Sequence, residues 1–142
     1  MSRELALILR DLENVDLADD DYMSRLYDLA AELEAAPDRS SAIAPVFSFI
    51  ERHPEADLGA PGPLVHFLEL FSGPEYEIPL VASLSRQPTP MTVWMLNRLI
   101  NSLRGSDCEK YIEVLRSLSS ESNPNISVRE RASRYLTHQT AR

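Results

Sequence analysis

The sequence predicts an all-α protein: seven to eight short helices stacked as antiparallel pairs, forming either a helical-repeat solenoid or an irregular bundle. Three observations predict it. Apolar residues recur at i, i+3, i+4 and i+7 along most of the 142 residues, the period of a helix. Ten prolines and four glycines fall between these periodic stretches or in first helical turns, where proline is tolerated. No segment sustains the apolar/polar alternation of a half-buried strand, so no sheet is expected.

Leu5, Ile8, Leu9 and Leu12 make a first stripe. Tyr22, Leu26, Leu29, Ala30 and Leu33 make a second, preceded by Asp19, Asp20 and Asp21, any of which could cap it. Ile43, Val46, Phe47 and Ile50 form the third. Leu64, Phe67, Leu68 and Phe71 form the fourth, which Gly73-Pro74 should terminate. Ile78, Val81, Ala82 and Leu84 mark a fifth helix, apolar nearly all round and therefore expected to be buried. The sixth has Thr89 as cap, Pro90 in its first turn and Gly105 to close it. Ser106 with Glu109, and Ser127 with Glu130, have capping-box spacing for the seventh and eighth. Cys108, Tyr111, Ile112, Leu115 and Leu118 line the seventh; Val128, Ala132, Tyr135 and Leu136 line the eighth.

The simplest organisation is one domain over residues 1–142, with acidic N-terminal helices over 1–38 and a stack of helix pairs over 39–138. Helices two and three, four and five, and six and seven are the expected pairs, at a spacing that suits helical repeats. SVRERASRYL, residues 127–136, resembles the V-R-x-x-A-x-x-x-L inner helix of HEAT repeats, which makes the solenoid HEAT-like.

Charge is the most informative bulk property. Residues 1–38 carry 11 acidic side chains against Arg3, Arg10 and Arg25, so the whole net charge of −8 resides there. Such a field repels phosphate and anionic membranes and attracts cationic partners. No nucleic-acid partner and no membrane partner are therefore expected, and the plain alternative is a solvated face that keeps the chain soluble. The apolar runs are too short to span a bilayer. The N-terminal stretch lacks a signal-peptide cleavage pattern, and the single Cys108 fits a reducing compartment, so a cytoplasmic protein is expected.

Catalytic motifs are absent. No glycine-rich phosphate loop occurs, and His53, His66 and His138 lie far apart with no zinc spacing. DLADDD lacks the alternating ligands, glycine and terminal glutamate of a calcium loop, and reads as helix capping. Cys108 lies in phase with the apolar stripe, as a buried inert thiol would. His66 reads as a satisfied helix histidine, with a general base near Glu69 as the alternative. No cofactor and no metal are expected.

The densest stretch, RQPTPMTVWMLNRLINSLRG (86–105), sets Trp94, Asn97, Arg98 and Asn101 at i, i+3, i+4 and i+7 on one face of an otherwise apolar helix. The structural reading has Asn97 and Asn101 bonding inter-helix loop carbonyls while Arg98 pairs with a carboxylate. The functional reading has Trp94, Arg98 and Asn101 lining an exposed groove, since Trp and Arg are frequent interface anchors.

GPLVHFLELF (62–71) followed by IPLVASLSRQPTPMTVWMLNRLIN (78–101) is similar to small helical immunity proteins of bacterial polymorphic toxin systems, including contact-dependent inhibition and type VI secretion effector pairs. The likeness spans roughly residues 60–136, and P-T-P-x-T-x-W-M-L-N-R is its most specific part. It implies a cytoplasmic, non-catalytic protein that binds one cognate toxin domain and blocks it. Asp16, Asp19, Asp20, Asp21, Asp28 and Glu32 would then meet Lys and Arg on the toxin, with the Trp94–Arg98–Asn101 groove as a second or additional contact. The alternative, from another class, is a helical-repeat scaffold or adaptor; an enzyme ranks third.

Overall fold

The computed structural model describes residues 3–141. Among them lie eight α-helices and no strand: α1 (Leu5–Glu13), α2 (Tyr22–Ala35), α3 (Ile43–Arg52), α4 (Gly62–Leu68), α5 (Pro74–Arg86), α6 (Pro90–Asn101), α7 (Ser106–Leu118) and α8 (Ile126–Ala141). A 3₁₀ turn, Arg39–Ala42, leads into α3. The chain divides into two compact units between Ala82 and Ser83.

In the first unit the stripes fall where the periodicity places them. Ile8 and Leu12 of α1, Leu26, Leu29 and Leu33 of α2, and Val46, Phe47, Phe49 and Ile50 of α3 are all buried. The neighbours differ from the simple pairing, however. α2 packs chiefly on α4 and α1, and α3 lies against α1 and α4, because the 3₁₀ turn redirects the chain between α2 and α3. This is an irregular bundle rather than a row of sequential hairpins. The Tyr22 hydroxyl donates to the Asp57 carbonyl at 2.7 Å and pins the start of α2 to the loop before α4.

α4 stops earlier than its stripe suggests, at Leu68. Tighter turns carry the chain on, with the Leu70 and Phe71 amides reaching back to Phe67 and Leu68 at 3.2 Å. Phe71 stays buried by packing edge-on against Phe67, ring centroids 5.5 Å apart. Gly73, with φ +61°, and Pro74 then open α5. The expectation that α5 is buried all round is corrected. Tyr76, Leu80, Ser83 and Leu84 form its buried row, whereas Ile78 is 68% exposed and Ala82 is exposed. A composition apolar on every side does not say which side is covered; only neighbouring helices decide that.

In the second unit α6, α7 and α8 pack against one another around Val93, Met95, Leu96, Ile100, Leu115, Val128 and Ala132. α6 begins as the sequence suggests. Thr89 Oγ1 accepts from the Thr92 amide at 3.1 Å, and Thr92 Oγ1 accepts from the Thr89 amide at 3.0 Å, a reciprocal cap with both residues fully buried. The other two predicted boxes do not form. α7 starts from Gly105 with no side-chain cap, and Ser106 is already inside the helix. For α8 the cap is Asn125, whose Oδ1 accepts from the Val128 amide at 3.1 Å. Asn123 and Arg129 knot the preceding loop: Asn123 Nδ2 donates to the Leu118 carbonyl at 2.9 Å, and Arg129 Nη1 donates to the Asn123 carbonyl at 3.2 Å. The V-R-x-x-A signature thus has a structural role here, with Val128 and Ala132 inward and Arg129 clamping the turn.

The asymmetry of α5 can be measured. Leu80→Ala should destabilise by about 2–5 kcal/mol, whereas Ile78→Ala should stay within about 0.5 kcal/mol of the parent, as an exposed position does. Equal losses in denaturant titrations would return α5 to the fully buried reading.

Candidate interaction surfaces

The acidic end is built from α1, α2 and the turn between them. Arg3 sits across the two helices. Its Nε and Nη2 grip the Glu32 carboxylate at 2.7 and 3.1 Å, and its Nη1 reaches Asp11 at 2.6 Å. Arg25 adds a longer contact to Asp11, 3.9 Å. The hydrogen bond from Arg3 holds the Asp11 carboxyl below the usual carboxylate range, against the opposing effect of burial. The Arg3 guanidinium is raised in turn, first by Glu32 and then by Asp11. All these groups are substantially hydrated, so the pairs orient side chains more than they stabilise.

The structure therefore sorts the predicted acidic residues. Glu32 already holds an intramolecular partner. Asp16 accepts from the Ala18 amide at 2.9 Å and shapes the turn. Asp21 stands at the N-cap position of α2 but makes no side-chain cap bond, because its backbone (φ −98°, ψ 15°) is not the extended conformation that aims a cap at N–H groups. Asp19, Asp20, Asp21 and Asp28 are exposed. Asp21, Arg25, Asp28 and Glu32 follow one side of α2 at helical spacing. Next to Asp28 in sequence, Tyr27 is 53% exposed, a large aromatic held outward. Sequence reasoning passed over it, although Tyr27 falls out of phase with the Leu26–Leu29–Leu33 stripe.

The second surface lies on α6. Its amides do not bind loop carbonyls, as one reading had it; their partner is Gln139 on α8. Gln139 Nε2 donates to Asn97 Oδ1 at 2.7 Å and to Asn101 Oδ1 at 2.8 Å. Both amide hydrogens of Gln139 are used, while its Oε1 is buried with no hydrogen-bond partner among the described residues. The reverse orientation would bury an NH₂ group with two unmet donors, a worse outcome than one carbonyl with unfilled lone pairs. The two amide bonds that Gln139 does make tie α8 to α6. Arg98 lies over the Trp94 ring, 5.1 Å from its centroid, a cation–π stack at half-buried positions. Trp94, Asn97, Arg98 and Asn101 thus do share one face. Gln139 could have been suspected from its phase with Val128 and Ala132, a polar residue on an apolar stripe.

The remaining chemistry-bearing groups are dispersed. His66 is exposed, and the Cys108 thiol is buried with its sulfur 3.7 Å from the Ile100 carbonyl. His53 packs on Phe49, ring centroids 4.6 Å apart, and burial, with a smaller effect from Arg52, lowers its pKa. Among the described residues no group of three or more His, Cys, Asp or Glu could hold a metal ion, and no helix is long and apolar enough to cross a membrane. No known family, curated protein or solved structure matches the chain.

Two consequences can be checked. Asn97→Ala leaves one hydrogen of a buried amide unpaired and should destabilise by about 1–3 kcal/mol, visible as a lowered melting temperature. His53 titrates more readily in the unfolded chain than in the folded one, since its folded pKa is depressed. Its contribution to stability is complete above the ordinary histidine value of about 6.5 and is lost as the pH falls from there through the depressed value. In His53→Gln the fall in stability on acidification through that window should be shallower, as followed by denaturant midpoints.

Proposed function

We propose that this chain is an immunity protein, which neutralises a cognate bacterial toxin domain in the cytoplasm by forming a stoichiometric complex. The observation that carries the reading is the unbalanced, outward-facing charge of the first unit: 17 acidic against five basic side chains up to Ala82. Arg3 and Arg25 are drawn to Asp11 and Glu32, which leaves Asp19, Asp20, Asp21 and Asp28 at the surface, and Tyr27, the residue before Asp28, is exposed as well. Exposed carboxylates and an exposed aromatic on the same helix suit a basic protein surface: the charges speed encounter and the ring supplies contact area. Surface depressions such as that bounded by Arg3, Glu4, Leu5, Ala6, Pro37 and Asp38 are open to solvent, a shape that favours a protein contact over an enclosed small ligand.

A helical adaptor is the second reading, favoured by the contrasting charge of the second unit, which holds nine basic against five acidic side chains from Ser83 onward. The two readings separate in one experiment. Co-expression with a toxic C-terminal domain encoded by a neighbouring gene should restore host growth and yield a co-purifying complex. Growth arrest despite full expression of this chain would reject immunity. In the rescued complex, reversing Asp20, Asp21 and Asp28 to Lys should slow association by about tenfold or more at low salt and flatten its salt dependence. Unchanged association rates would move the contact away from α2.

A further inference from the structure

We infer that one outward side of α8 docks a second copy of this chain, through the exposed carboxylates around the start of α2. The contact joins two unlike surfaces and does not rest on the reading of the chain as an immunity protein.

α8 buries Val128, Ala132 and Gln139 and turns another side outward. Ser127, Arg131, Arg134 and His138 recur there at i, i+4, i+7 and i+11, the spacing of one helix side. Arg134 and His138 are exposed, and Arg131 is half-buried. Among the described residues neither Arg131 nor Arg134 makes a hydrogen bond or an ion pair. Glu130, the only acid of α8, stands one turn before Arg134 and forms no ion pair with it. Other guanidiniums are engaged: Arg3 by Glu32 and Asp11, Arg116 by Glu113, and Arg129 by two loop carbonyls. Two unpaired guanidiniums one turn apart are complementary to carboxylates, which they bind through paired, charge-assisted hydrogen bonds.

The chain itself supplies the complementary surface. Asp19, Asp20, Asp21 and Asp28 are exposed, and their carboxylates make no hydrogen bond or ion pair among the described residues. The units that carry the two surfaces are charged in opposite senses: 17 acidic against five basic side chains up to Ala82, and nine basic against five acidic from Ser83 onward. Every solution of the protein therefore holds the acidic partner of α8 at the same concentration as α8 itself. Nucleic acid, the other common polyanion, is repelled by the first unit. The net charge of −8 also opposes the approach of a second copy. At about 0.1 M salt the Debye length is only about 10 Å, so charges that face one another outweigh distant ones. Exposed ion pairs are individually weak, so the contact is transient and salt-sensitive rather than a permanent dimer.

Static light scattering of the purified chain tests this as salt is lowered from about 1 M to about 0.1 M, which lengthens the Debye length from about 3 to about 10 Å. The contact predicts a second virial coefficient that turns more negative and an apparent mass that rises with protein concentration. Plain repulsion between copies of net charge −8 predicts the opposite sign. Arg131→Glu/Arg134→Glu should abolish the attraction while circular dichroism stays that of the parent. Arg10→Glu/Arg104→Glu, which changes the net charge equally at two other exposed arginines, should leave it in place. Asp20→Lys/Asp21→Lys/Asp28→Lys removes the other half of the contact. Mixed in equal amounts, the α8 and α2 variants regain complementary surfaces and should associate, whereas the α8 variant alone does not. Attraction that weakens as salt is removed, or an equal loss in the two arginine double variants, would overturn the inference. A chain that stays monomeric but co-sediments with a short oligothymidylate would give this side of α8 to phosphate and overturn it likewise. Growth rescue has no part in these readouts: failure here leaves the toxin reading standing, and failure of rescue leaves this contact standing.

Discussion

Helix length is the constraint on which the rest of this structure depends. The helices run from seven to 16 residues, and isolated helices shorter than about 12–15 residues are marginal in water. They persist because each buries an apolar stripe against a neighbour. The interior is accordingly built from small blocks of Leu, Ile, Val and Phe, repeated from helix to helix. Short helices also bring many ends close to the core, and every end carries backbone groups without helical partners. Local polar devices meet that need: the fully buried Thr89–Thr92 cap, the Asn125 cap, and the Asn123–Arg129 knot that ties the last loop.

The same constraint decides what could be read from the sequence. A stripe is a local signal, so α1, α2, α3, α6, α7 and α8 were legible to within a few residues. Cap registry was not, because Ser-x-x-Glu specifies a spacing without specifying where the helix begins. Asn125, two residues upstream of Ser127, caps as well as a serine would and stands where α8 begins, and Gly105 with its positive φ sets the start of α7 one residue before Ser106. α5 failed for a different reason. Its apolar residues lie on several sides, and the periodicity cannot choose among them until the neighbouring helices are in place. Of the candidate sites, the cluster on α6 was legible as four residues at helical spacing. Its partner was not, since Gln139 lies 42 residues from Asn97 and no local pattern links them.

The two surfaces differ in how their polar groups are held. On α1 and α2 the pairs are hydrated, and Arg3 spans both helices with long side chains that can rearrange at little cost. On α6 the groups are fixed from within: a nearly buried amide holds two others, and a guanidinium is stacked on an indole. Mobile charges suit long-range attraction and adaptable contact, and fixed donors suit recognition of a defined group. The contrast comes from packing, because α8 presses a polar side chain into the seam with α6, whereas the α1–α2 acids line a side that meets water.

The placement of charge bears on stability as well as on binding. A unit with 17 acidic and five basic side chains repels itself, and folding brings those charges closer together than they are in the extended chain. Arg3 relieves that repulsion where α1 and α2 bring Asp11 and Glu32 together, and Arg25 lies near the same point. It does nothing for Asp19, Asp20 and Asp21, three consecutive carboxylates that give α2 no side-chain cap at Asp21 and remain exposed. Solubility alone would be served by the same number of charges spread evenly over the surface. Their concentration in the first unit is what a cationic partner would use, and it is the feature that stability by itself leaves unexplained.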